Sequence, residues 1–154
     1  MYPSILIRSV ILGSMTPMAA PFLWTAPAYS APAAGAPGGS VPSAIGWFEA
    51  HDGDTAYENL CEKSVENAWG ADGVWSTASA HWQGAIAAGK AHVGDANPPA
   101  GAFIYWRTNG DGHVAIADGQ GGFFSTNVNG AIRHGSNLDY FPDYLGWSDP
   151  QVPS

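Results

Sequence analysis

The chain has 154 residues, with 13 Asp and Glu against 5 Lys and Arg, seven Trp and a single Cys. A chain of this length holds one domain, rarely two. Its formal charge of −8 argues against a nucleic-acid partner, because phosphate neutralisation needs clustered Lys and Arg. One Cys can form neither an internal disulfide framework nor a multi-Cys structural zinc site.

Residues 1–30 read as a secretory signal peptide. Arg8 is the only charge before Glu49, and an apolar stretch runs from Val10 to Trp24. Ala28 and Ser30 then supply the small residues of a cleavage site. Pro17, Pro21 and Pro27 interrupt any helix long enough to span a bilayer, so stable membrane insertion is not expected. Residues 31–43 form an Ala/Pro/Gly linker with too little apolar bulk to fold. The working domain is then 44–154, and cleavage after Ser30 leaves four basic against thirteen acidic groups.

Along that domain, Ala44–Ala50 is a short first helix ending at the turn His51-Asp52-Gly53-Asp54. Residues 61–70 form a second, with Cys61, Val65, Ala68 and Trp69 on one face and Glu62, Lys63 and Glu66 outside. Gly70 is its natural stop. Ser76 or Thr77 caps a third helix whose stripe is Ala78, His81, Trp82, Ala85 and Ile86, and Gly89 ends it. After Pro98-Pro99 the pattern turns to strands at 102–107, 113–117 and 123–128, with the hairpin signal Asn129-Gly130 and shorter strands near Ile132 and at 144–147. Helices first and an antiparallel meander of about five strands afterwards describe an α+β domain.

Cys61 sits at the start of its helix, where free backbone N–H groups and the helix dipole stabilise a thiolate. His113 opens a strand after a glycine-flanked turn, an arrangement in which imidazole can take the thiol proton. Ser125 and Asn127 share a face of the next strand, and either could hold the imidazole in its working tautomer. Glu62, beside the cysteine, opposes thiolate formation if it lies close. No His-Glu-x-x-His spacing accompanies His51, His81, His92 or His134, so no metal or other cofactor is expected. Trp69, Trp75, Trp82 and Trp106 could line a groove, but Trp in helices and strands usually serves the core. Glu49, Glu58, Glu62 and Glu66 could supply a glycosidase acid/base pair but read as solvated surface.

Leu60-Cys61-Glu62-Lys63-Ser64, Pro98-Pro99-Ala100-Gly101-Ala102-Phe103 and above all Gly112-His113-Val114-Ala115-Ile116-Ala117 resemble the NlpC/P60 and CHAP superfamily of papain-like cysteine hydrolases of bacterial peptidoglycan. The resemblance covers most of 45–147, although Leu60 and Glu62 flank the cysteine where that family usually has Asp and Ser. It implies a papain-like fold with N-terminal helices packed on the sheet, Cys61 as nucleophile and His113 as base. Its third polar residue maps to Ser125 by spacing or Asn127 by chemistry. Asn127 is preferred, because a carboxamide oxygen accepts the imidazole N–H. Tyr57, one helical turn before Cys61, is the expected second oxyanion donor. The implied protein is a secreted, extracellular or wall-associated monomer that cleaves amide bonds in peptidoglycan stem peptides. The alternatives are an antibacterial amidase effector and a non-catalytic wall- or glycan-binding module on the same fold.

Overall fold

The computed structural model describes residues 39–154. The expected export signal and the expected linker up to residue 38 lie outside the described residues.

Helix α1 spans Val41–Ala50. It begins before the expected domain boundary, because Ser40 and Ser43 form a reciprocal capping box: Ser43 N–H donates to Ser40 Oγ at 3.3 Å and Ser40 N–H to Ser43 Oγ at 2.8 Å. Pro42 falls in the first turn, where its missing N–H costs nothing. Val41-Pro42-Ser43, expected in the linker, therefore belong to the helix. Helix α2 is Cys61–Ala68 and α3 is Ala78–Ala87. Thr77 caps α3 by accepting the Ala80 N–H at 3.1 Å. Ala78, His81, Trp82 and Ala85 form its buried stripe, whereas Ile86 lies one position past the edge and is 43% exposed.

Six strands form one sheet in the order β1-β6-β2-β3-β4-β5, with every neighbouring pair antiparallel. They are β1 (Ala91–Val93), β2 (Phe103–Trp106), β3 (His113–Ala117), β4 (Phe123–Val128), β5 (Ala131–Gly135) and β6 (Tyr144–Ser148). The strand beyond the expected five is β1, three residues paired with β6 and too short to show an alternating pattern. The fold is α+β.

Both faces of the central strands are covered, so β2 and β3 read as continuous apolar runs. Phe103, Tyr105, Val114 and Ile116 face the helices and pack with Phe48, Val65, Trp69 and Trp82. Ile104, Trp106, Ala115, Ala117 and Phe123 face the other way, where Leu138, Phe141 and Tyr144 cover them. Trp106 is fully buried there, donates Nε1–H to the Leu138 carbonyl at 2.8 Å and meets Phe141 edge to face at 5.3 Å. Gly53 and Asp54 pair with Ile132 of β5, so the segment between α1 and α2 is tied to the outer edge of the sheet before it reaches Cys61. Among the described residues no helix is long and apolar enough to cross a membrane.

Replacing Trp106 by Phe removes one ring of packing and strands the Leu138 carbonyl. Urea denaturation of Trp106→Phe should show a loss of about 2–4 kcal/mol. A loss too small to measure would mean that the second layer contributes little to stability.

Candidate active site

The site forms where β3 and β4 part company. Their ladder holds at Ile116↔Phe124 and Ala117↔Phe123, and β4 then bulges between Ser125 and Val128. Beyond Ile116 the backbone groups of Val114 that point toward β4 lose their strand partners. The Ser125 hydroxyl takes the Val114 carbonyl at 2.9 Å. The Val114 N–H, with those of Glu62 and of Cys61 itself, is directed toward the Cys61 sulfur and favours its charged form.

His113 and Ser125 are brought together: imidazole Nε2 lies 2.8 Å from Ser125 Oγ, and both residues are buried. A carbonyl only accepts, so the Ser125 proton is committed to Val114 O. Ser125 Oγ must then accept from His113, which puts the imidazole proton on Nε2 and leaves the lone pair on Nδ1. The ring is held from one side by Phe141, at a centroid distance of 4.1 Å, with Trp106 at 6.0 Å. The turn that delivers it is fixed by Asn109 Oδ1, which accepts the Asp111 and Gly112 N–H groups, and by Ser79, which bonds Gly110 O and Asp111 O. Gly112 has φ 72°, and a Cβ there would meet Ser79 Oγ at 2.8 Å, so glycine is required next to the histidine.

Asn127, the preferred third residue, does not reach the imidazole. The bulge gives it φ 58°, and its carboxamide pairs reciprocally with Asn59: Asn59 N–H donates to Asn127 Oδ1 at 3.1 Å, and Asn127 Nδ2 to Asn59 Oδ1 at 3.2 Å. Glu58 accepts the Asn127 N–H at 3.0 Å. This knot bolts the approach to α2 onto β4 and thereby sets the height of Cys61. Tyr57 is likewise corrected. Its hydroxyl accepts from Asn67 Nδ2 at 3.2 Å, its ring meets Trp47 edge to face at 5.2 Å, and it packs against the helix entrance away from the cleft lining.

Cys61 and His113 open into one cleft of about 700 Å³. Asn59, Leu60 and Asn127 line it beside Cys61, with Thr108, Asn109 and Asp111 on the histidine side. Asp72, Gly73, Trp75 and Ser76 form a further wall. Of the four Trp weighed for a groove, Trp69, Trp82 and Trp106 are core and only Trp75 lines the cleft.

The expected thiolate at the helix start is not what the site favours. Burial pushes the Cys61 thiol up, and the nearby Glu62 charge adds to this; the backbone N–H groups only partly offset them. Burial lowers His113 to about 4. Over the neutral range the resting pair is thus a neutral thiol and a neutral imidazole. The helical face expected to be solvated instead buries Glu62 and Glu66. Glu62 contacts His81 Nδ1 at 2.8 Å. Burial raises its carboxyl above the usual range, against the opposing pull of His81. Glu66 accepts the Val74 N–H at 3.0 Å and the Trp75 N–H at 2.6 Å. These partners lie on later segments, and no local pattern announces them. Among the described residues no group of three His, Cys, Asp or Glu side chains is arranged to hold a metal ion.

Comparison with protein-family models, curated proteins and solved structures found no match for this chain.

A histidine buried as the neutral base must charge on unfolding in acid. With 6.5 as its ordinary value and about 4 in the folded protein, the unfolded chain binds the extra proton between those pH values. His113 therefore contributes stability that is present above pH 6.5 and is lost as pH falls toward 4, by roughly 3 kcal/mol in total. Thermal melts of wild type and His113→Gln across that window should diverge, with the variant losing less stability on acidification. Parallel curves would contradict this burial of a neutral imidazole.

Proposed function

We propose that this domain is a papain-like cysteine peptidase or amidase of the NlpC/P60 and CHAP type, exported to cleave amide bonds in peptidoglycan stem peptides. The observation that carries this reading is the relay His113 Nε2–H to Ser125 Oγ to Val114 carbonyl. It reserves Nδ1 as a base in the same cleft as the only cysteine of the chain. The sequence elements around Cys61 and His113 support the assignment of class and substrate.

In this reading, substrate binding brings the amide carbonyl to Cys61 and excludes water from the cleft. The thiol proton moves to His113 Nδ1 as sulfur attacks, so the ion pair forms during the reaction rather than before it. Ser125 continues to accept the Nε2–H and thereby stabilises the imidazolium, the role the third member of a triad plays. The oxyanion faces the first-turn N–H groups of α2. Leu60 precedes that turn without a side-chain cap, so no capping side chain occupies those donors. His113 then protonates the leaving amine, and water releases the thioester.

Cys61→Ala should abolish release of peptides from purified peptidoglycan, read by mass spectrometry of the muropeptide products. Undiminished release would remove the activity from this site. Ser125→Ala leaves the imidazole tautomer free and should lower kcat by roughly ten- to a hundredfold, with KM nearly unchanged. Because kcat/KM reports the free enzyme, its acid limb should fall near pH 4, the value His113 takes, rather than near 6.5.

A second reading, a non-catalytic wall- or glycan-binding module, is favoured by one observation: burial holds Cys61 as the less reactive thiol. It requires that Cys61→Ala bind peptidoglycan as wild type does and that neither protein release products.

A further inference from the structure

The mechanism above uses one end of α2 and leaves Glu66 unexplained. A carboxylate 1% exposed is costly to bury unless both oxygens are satisfied. Here each oxygen accepts one backbone N–H of the same loop, Val74 on Oε2 and Trp75 on Oε1. Two further ties join α2 to this loop: Ala71 N–H to Glu66 O at 2.8 Å, and the exposed pair Lys63–Asp72 at 3.5 Å. The exposed pair contributes little, so the buried carboxylate is the main anchor. The loop is a wall of the cleft, supplying Asp72, Gly73, Trp75 and Ser76 to its lining. Its one aromatic side chain, Trp75, lies flat on His81, with 5.5 Å between ring centroids and 7° between planes. The indole occupies the space over Gly84, where a Cβ would come within 2.2 Å of it.

We infer that Glu66 is a positioning residue that holds the Trp75 wall at a fixed distance from the Cys61 thiol, and that Trp75 is the specificity-determining surface for the substrate's carbon skeleton beside the scissile amide. The inference rests on the hydrolase reading for its substrate role. The geometry behind it is that both ends of the cleft, nucleophile and wall, hang from one helix. Glu66 lies five residues after Cys61 in α2, so helix and wall move as one body. A Gln at 66 keeps the shape but replaces one acceptor oxygen with an NH₂ donor that faces a backbone N–H, which releases one side of the wall.

The first test reads accessibility of the thiol, not turnover. In mildly alkaline buffer, Cys61 is alkylated with iodoacetamide and, separately, with the bulky fluorescein-5-maleimide. Glu66→Gln should raise the ratio of bulky to small rates by about fivefold or more, with the iodoacetamide rate within about twofold of wild type. Trp75→Ala should give the same rise. An unchanged ratio in both variants, or a parallel rise for both reagents that signals general loosening, overturns the inference. In the wild-type protein, Val74 and Trp75 amides should exchange hydrogen about a hundredfold more slowly than Asp72 and Gly73 of the same loop. Equal rates would overturn it even if Glu66→Gln failed to fold. With stem peptides as substrate, Glu66→Gln should raise KM about tenfold and leave kcat within about twofold. A fall in kcat at constant KM contradicts the positioning role. Hydrolysis that survives Cys61→Ala sinks the hydrolase reading, while the alkylation ratio still decides the role of Glu66.

Discussion

The parting of β3 from β4 beyond Ile116 is the constraint on which the site depends. A regular ladder would have spent the Val114 N–H and carbonyl on β4. The bulge between Ser125 and Val128 frees both, and the vacancy is filled from two directions. Ser125 enters from β4 to take the carbonyl, and in doing so fixes the imidazole tautomer. The start of α2 enters from the helical layer and sets Cys61 against the N–H. The same bulge turns Asn127 into the left-handed region, which Asn tolerates better than most residues, and lets it grip Asn59. One irregularity in the ladder thus gathers Cys61, His113 and Ser125 around the Val114 backbone.

Burial then sets the electrostatics. Cys61 and His113 are both pushed toward their neutral forms, the thiol upward and the imidazole to about 4. Two carboxylates on the same short helix are buried, Glu62 in contact with His81 and Glu66 hydrogen-bonded to the amides of the Trp75 loop. The acidic composition is therefore not only a solvated surface. Part of it is structural wiring that links α2 to α3 and to the wall of the cleft.

The legible parts of this molecule are those whose cause is local. Three helices and the meander follow from period and turn chemistry, and Thr77, Gly70 and the Asn129-Gly130 turn fall where those signals put them. Cys61 at a helix start and His113 at a strand start were legible for the same reason. The start of α1 was obscured because Val41-Pro42-Ser43 has a linker's composition, although the pair Ser40 and Ser43 is a capping signal. Ser125 and Asn127 could not be ranked from alternation, which assigns both to one face and takes no account of a bulge. The chemistry of the carboxamide favoured Asn127, and the strand geometry gives the place to Ser125. Glu62, Glu66 and Tyr57 were misjudged because their partners, His81, the Val74 and Trp75 amides, and Asn67, depend on how separate segments pack.

The protonation of Cys61 at rest also bears on how long the protein lasts. Peroxides and disulfides attack through the thiolate, and the steps from sulfenic to sulfonic acid begin there. A standing thiolate here would be consumed by oxidants, with no second cysteine in the chain to resolve the damage as an internal disulfide. Half-buried and held as the thiol, Cys61 is a poor target for that chemistry, so the burial that slows its ionisation also acts as its safety catch.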